Sequence, residues 1–87
     1  MAIFVVPTIR QEDFAAFKEM VLTLPPTFRE WTAFERREIR IAQDAGDVRE
    51  LVSVEPLQFM EYLAERHERP TLPQIYKFAA FKLAGGK

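Results

Sequence analysis

Polar and apolar positions alternate in two distinct rhythms along this chain, and the change from one to the other marks its elements. The clearest stretch runs from Val52 to Phe78. Val52, Ser53 and Val54 alternate as a half-buried strand does, and Pro56 fixes its φ where a first helical turn tolerates a missing N–H. A strand therefore hands over to a helix at Glu55. Phe59, Met60, Leu63, Ala64 and His67 recur every three or four residues, with Glu61, Glu65 and Glu68 on another side, which predicts an amphipathic helix. Pro70 stops it. Thr71 and Gln74 have the spacing of a capping box, so a second helix starts near Leu72, with a core stripe of Leu72, Ile75, Tyr76, Ala79 and Leu83. Gly85-Gly86 supplies the left-handed backbone that ends it.

The first half reads as a longer version of the same plan. Ile3 to Val6 is a short continuous apolar run before Pro7, the pattern of a strand buried on both faces. Thr8 and Gln11 repeat the capping-box spacing, and Phe14, Phe17, Val21 and Leu24 form the buried stripe of a helix that Pro25-Pro26 ends. Thr27 and Glu30 make a third box. The next helix, Phe28 to Ala45, carries Trp31, Phe34, Ile41 and Ala45 on one stripe with Glu38 intruding, and Gly46 as its C-terminal stop. Glu38-Ile39-Arg40-Ile41 also alternates, so a hairpin over residues 38–54 is the rival; the helix is the favoured reading.

The expected fold class is α+β, mostly helical, ordered β-α-α-β-α-α, with two short strands packed against four helices in one domain spanning residues 1–87. Thr27 to Phe34 aligns without gaps on Thr71 to Phe78, which suggests a tandem β-α-α duplication. Capped amphipathic helices resemble one another in any case, so the alignment alone does not decide it.

Composition narrows the function. The chain has 87 residues, 48% hydrophobic, with eight Phe, two Tyr and one Trp, so it is globular. A net charge of −1 gives no overall attraction for nucleic acid or an anionic membrane. Without cysteine there is no disulfide, thiolate chemistry or cysteine-bound zinc. The start lacks the basic residues and long apolar run of a signal peptide, and no apolar run approaches the roughly 20 residues of a membrane span. The expected location is the cytoplasm.

Candidate chemistry is sparse. His67, the single histidine, has no nucleophile near it in the chain, and Ser53 lies inside a strand without the glycine-flanked elbow of a hydrolase. Glu61, Glu65 and Glu68 share one face but lack the paired Glu-x-x-His motifs of a carboxylate metal centre. The glycines form no phosphate-binding loop. No catalytic residue, metal or cofactor is expected, and the chain does not read as an enzyme.

Two short strands make a marginal sheet whose edges remain open, and eleven aromatic residues exceed what a small core must hide. These features point to a non-enzymatic protein–protein interaction or regulatory module acting as a homodimer. Its interface candidates are Ile3, Val5, Trp31, Phe34, Phe78 and Phe81. The alternative is a DNA-binding regulator with a helix-turn-helix-like hairpin at residues 56–83, contacting nucleic acid through Arg69, Gln74, Lys77 and Lys82. The acidic neighbours and slightly negative total charge weigh against it.

Overall fold

The computed structural model describes residues 3–86. Its elements are β1 (Ile3–Thr8), α1 (Gln11–Met20), α2 (Phe28–Asp44), β2 (Val48–Ser53), α3 (Pro56–Arg66) and α4 (Leu72–Leu83). The order is β-α-α-β-α-α, as the periodicity indicates, and residues 38–44 are helical, not half of a hairpin. The two strands pair in parallel, Ile3 beside Val48 through Thr8 beside Ser53, so each residue faces the one 45 positions later. Parallel strands need a crossover, and α1 with α2 provides it.

Two of the three threonine caps form. The Thr27 hydroxyl accepts from the Glu30 N–H at 3.1 Å, and the Thr71 hydroxyl accepts from the Gln74 N–H at 3.3 Å. Thr8 does not cap: it is the last residue of β1, and its carbonyl accepts from the Val54 N–H. Arg10 takes the N-cap position of α1 with no side-chain cap, while its guanidinium bonds Asp13 at 2.9 Å. The ladder claims Thr8 before the helix can.

Three of the four helix ends follow one scheme. After α2, Gly46 at φ 75° donates to the Gln43 carbonyl and Asp47 to that of Ala42. After α4, Gly85 at φ 88° donates to Lys82 and Gly86 to Phe81. After α3 the same two bonds, His67 to Ala64 and Glu68 to Leu63, are made with His67 at φ 53°. All three are Schellman endings, and only the last puts a residue with a Cβ in the left-handed region. The first helix instead stops at Met20, short of the prolines, where the Lys18 ammonium donates to the carbonyls of Leu22 and Leu24 at 2.8 and 2.7 Å.

Aromatic contacts tie the helices into one core. Phe17 of α1 meets Phe59 of α3 with ring centroids 5.6 Å apart, and Phe59 meets Phe78 of α4 at 5.8 Å. Phe14, Phe17, Val21 and Leu24 are buried as their spacing indicates. The third helix is rotated from the expected stripe: Phe59 and Leu63 face inward, but Met60, Ala64 and His67 are exposed. On α4 the inward residues are Gln74, Ile75, Phe78 and Ala79, while Leu83 lies outside. The first strand is not buried on both faces throughout, since burial increases from exposed Ile3 to enclosed Val6 and Pro7.

Candidate functional site

The second strand is where the fold departs from expectation. Purely parallel sheets normally have both faces covered by helices. Here β2 is exposed at every residue except Val52, which is half-buried. Leu51 is 57% exposed and Val48 43%, and Ile3, beside Val48 on the same face, is 64% exposed. Leu51, three residues from Val48, lies on the opposite face beside Val6, so exposed apolar groups flank the outer edge of β2 on both faces of the sheet.

The ladder fixes which backbone groups point outward. Val54 donates to the Thr8 carbonyl, and Thr8 is the neighbour of Ser53 in the register. Peptide groups alternate along a strand, so those of Phe4, Val6 and Thr8 face β2, and those of Ile3, Val5 and Pro7 face away. On β2 the outward groups belong to Arg49, Leu51 and Ser53. Pro7 has no N–H to offer at its outward position, which blunts the β1 edge. The far end of the β2 edge is closed differently. The Lys82 ammonium donates to the outward carbonyl of Ser53 at 2.6 Å and to Gln58 Oε1 at 3.2 Å. What remains open is the edge at Arg49 and Leu51. The Arg49 guanidinium is itself held against α2, where the Gln43 amide oxygen, in its satisfied orientation, accepts from Nη1 and Nη2 at 3.1 and 3.0 Å.

A second polar grouping sits between α2 and α4. Tyr76 donates its hydroxyl hydrogen to Glu38 Oε1 at 3.1 Å, and burial together with that carboxylate raises the phenol well above its ordinary range. One turn before Glu38 lies Glu35, whose Oε1 is buried without a hydrogen-bonding partner, as is the indole Nε1 of Trp31. Burial pushes the Glu35 carboxyl up, and the Ile9 backbone and Arg36 oppose it only in part. Glu38 is the acid that intrudes on the stripe read from the sequence, whereas Glu35 does not stand out in the charged run of residues 29–40. The signal is the spacing Trp31, Glu35, Glu38, Ala42, which places both acids on the helix face that Trp31 and Ala42 bury.

A groove of about 310 Å³ between α3 and α4 is lined by the Tyr62 and Phe78 rings, the acids Glu61 and Glu65, and Lys82 with Gln58. Arg66 covers the Tyr62 ring at 3.9 Å from the centroid and the Phe81 ring at 4.6 Å. Among the described residues, no group of three or more His, Asp or Glu side chains converges as a metal site requires. None of their helices is long and apolar enough to cross a membrane.

The structure divides the residues singled out from sequence. Of the interface candidates, Trp31 and Phe78 are 0% and 3% exposed and belong to the core; Val5, Phe34 and Phe81 are half-buried against it; Ile3 alone is fully at the surface. The fold therefore keeps most of those aromatics for itself. Exposed apolar side chains outside those candidates are spread over the surface, at Leu22, Ile41, Leu57, Met60 and Leu83 on or beside helices and at Val48 and Leu51 on β2. Of the four nucleic-acid candidates, Arg69 and Lys77 are exposed. Gln74 is buried and donates from Nε2 to Glu68, and Lys82 is engaged at Ser53. His67 and Ser53 are far apart in role: one ends a helix, the other offers its carbonyl to a lysine.

No family model matches the sequence, and neither a curated protein nor a solved structure matches it.

Proposed function

We propose that this chain is a protein–protein interaction module that works as a homodimer, joined through the outer edges of β2. One observation carries the reading: a parallel strand exposed at five of its six residues, with hydrogen-bonding groups at Arg49 and Leu51 facing solvent. A second strand laid along that edge would use those groups and cover Leu51 and Val48. Strand addition of this kind draws affinity from main-chain bonds and specificity from alternate side chains. The neighbouring β1 edge is spoiled for the purpose by Pro7, so the sheet would grow on one side only.

A second copy fits the edge by charge. Asp47 stands just before the strand and Lys82 closes its end. An antiparallel copy brings opposite signs together at both ends, whereas a parallel copy brings like to like.

The test uses the same device that already protects β1. At Leu51 the N–H points outward, so Leu51→Pro deletes an edge donor without removing a bond between β1 and β2. Sedimentation equilibrium of the unmodified chain is expected to show a dimer. The L51P chain, with its helical circular dichroism retained, is expected to associate at least about tenfold more weakly. An unmodified chain that stays monomeric at several hundred micromolar, or an L51P chain that dimerises as well as the parent, would overturn the proposal.

A further inference from the structure

The geometry points to a single register for that self-pairing, antiparallel with Glu50 on the two-fold axis, and assigns to Lys82 the role of selecting it. This rests on the association proposed above and goes beyond it by naming the opposed residues. Two identical edge strands related by a two-fold normal to the sheet keep each side chain on its own face. Opposed residues must therefore lie an even number of places apart, and the axis must pass through a residue. Overlap of Val48–Ser53 with its copy is greatest when that residue is Glu50 or Leu51. Centring on Arg49 shortens the overlap and sets two guanidinium groups face to face.

Between the two remaining registers, Lys82 decides. With Leu51 on the axis, the Arg49 N–H of one copy must reach the Ser53 carbonyl of the other. That carbonyl already accepts from the Lys82 ammonium at 2.6 Å. Two charge-assisted bonds would be displaced or shared, one at each end of the pair, and an arginine would come beside a lysine both times. With Glu50 on the axis, the hydrogen-bonding pairs are Arg49 with Leu51 and Leu51 with Arg49, so both Lys82 ammoniums keep their places. The cost is one contact between two Glu50 side chains, which are exposed, and like charges weigh least where water screens them.

The same register covers the exposed apolar groups. Val48 comes opposite Val52 of the second copy. Leu51 comes opposite Arg49, whose aliphatic stem can lie over it while Gln43 holds the guanidinium. At each end Asp47, which already has an interaction within its own chain, approaches the Lys82 of the other copy.

The chain has no cysteine, so single introduced thiols report the register directly. Glu50→Cys and Leu51→Cys chains are oxidised in a glutathione buffer and followed on non-reducing gels, with sedimentation of the reduced chains alongside. A residue on the axis at a non-hydrogen-bonded position has its Cα about 4.5 Å from its copy, within disulfide reach. In that register the two Leu51 positions are staggered by two residues each way and fall outside it. The Glu50→Cys chain is expected to cross-link at least about tenfold faster than the Leu51→Cys chain. Glu50→Gln, with no thiol introduced, is expected to tighten association by about three- to tenfold, because two opposed charges disappear. In the Lys82→Met background the faster cross-link is expected to move to the Leu51→Cys chain. A dimer that cross-links faster through position 51 with Lys82 intact, or one indifferent to Glu50→Gln, would overturn the register and leave self-association standing. Reduced chains that are all monomeric would overturn both. An unchanged preference for position 50 in the Lys82→Met background would remove the role given to Lys82.

Discussion

The Tyr76 hydroxyl donates to Glu38 Oε1 at 3.1 Å, joining the last helix to the second across 38 positions of sequence. The bond gives the Glu38 carboxylate a partner on the helix face that Trp31 and Ala42 bury. Tyr76→Phe removes the donor and leaves a partly buried carboxylate with less solvation. It is expected to lower stability by roughly 1–2 kcal/mol, and in a double-mutant cycle with Glu38→Gln the two losses are expected to fall short of additive. Urea unfolding of the four chains measures this.

Glu35 offers a pH-dependent signature. Its carboxyl is raised, with burial as the largest cause, so the folded chain holds that proton more tightly than the unfolded chain does. Such a group favours folding most below its unfolded pKa, and the contribution is lost as pH rises through the raised folded value. Glu35→Gln is therefore expected to be stabilising at pH 7, by on the order of 0.5–1 kcal/mol given its partial exposure. The advantage is expected to shrink as pH falls toward about 4, the ordinary range of a glutamate. Melting temperatures of both chains across that range would show it, and a difference independent of pH would contradict the assignment.

His67 holds the left-handed position that glycine holds after α2 and α4. A residue with a Cβ there costs about 1 kcal/mol relative to glycine. His67→Gly is expected to raise stability by about that amount, whereas Gly46→Ala and Gly85→Ala are expected to lower it. Gly86 is constrained for a different reason: a Cβ there would sit 2.5 Å from the Phe81 ring. Thermal denaturation of the set separates the two effects, because Gly86→Ala should also disturb the Phe81 contact with Tyr62.

The three threonines make a graded test of the local reading. Thr27→Ala and Thr71→Ala each delete a formed cap and are expected to cost about 1 kcal/mol. At Thr8, Val should be tolerated, since that side chain stands in a strand and caps nothing. A loss at Thr8→Val as large as at Thr27→Ala, read from denaturant midpoints, would contradict the placement of β1.

These residues also show how far the sequence could be read. Caps at Thr27 and Thr71 and stops at Gly46 and Gly85 are local chemistry, so spacing alone locates the helices they bound. Thr8 misleads because two local programmes overlap there, and ladder bonding to Val54 prevails over the capping-box spacing. Rotation of α3 is hidden because Met60 and Phe59 are both apolar, and only packing against Phe17 and Phe78 selects Phe59. Choosing which aromatics face outward needs the tertiary fold: Trp31 and Phe78 have the composition of an interface but fill the core. An open strand edge is legible in kind, whereas its location on β2 depends on which way Pro7 points in the paired ladder and on Lys82, which reaches the sheet from α4 only once the chain is folded.

Sedimentation equilibrium of the unmodified chain, from low micromolar to several hundred micromolar, addresses the central claim most directly. The fit is expected to move from one chain mass of 10.2 kDa toward twice that value as concentration rises. A mass of 10.2 kDa held across the whole range would contradict self-association through β2.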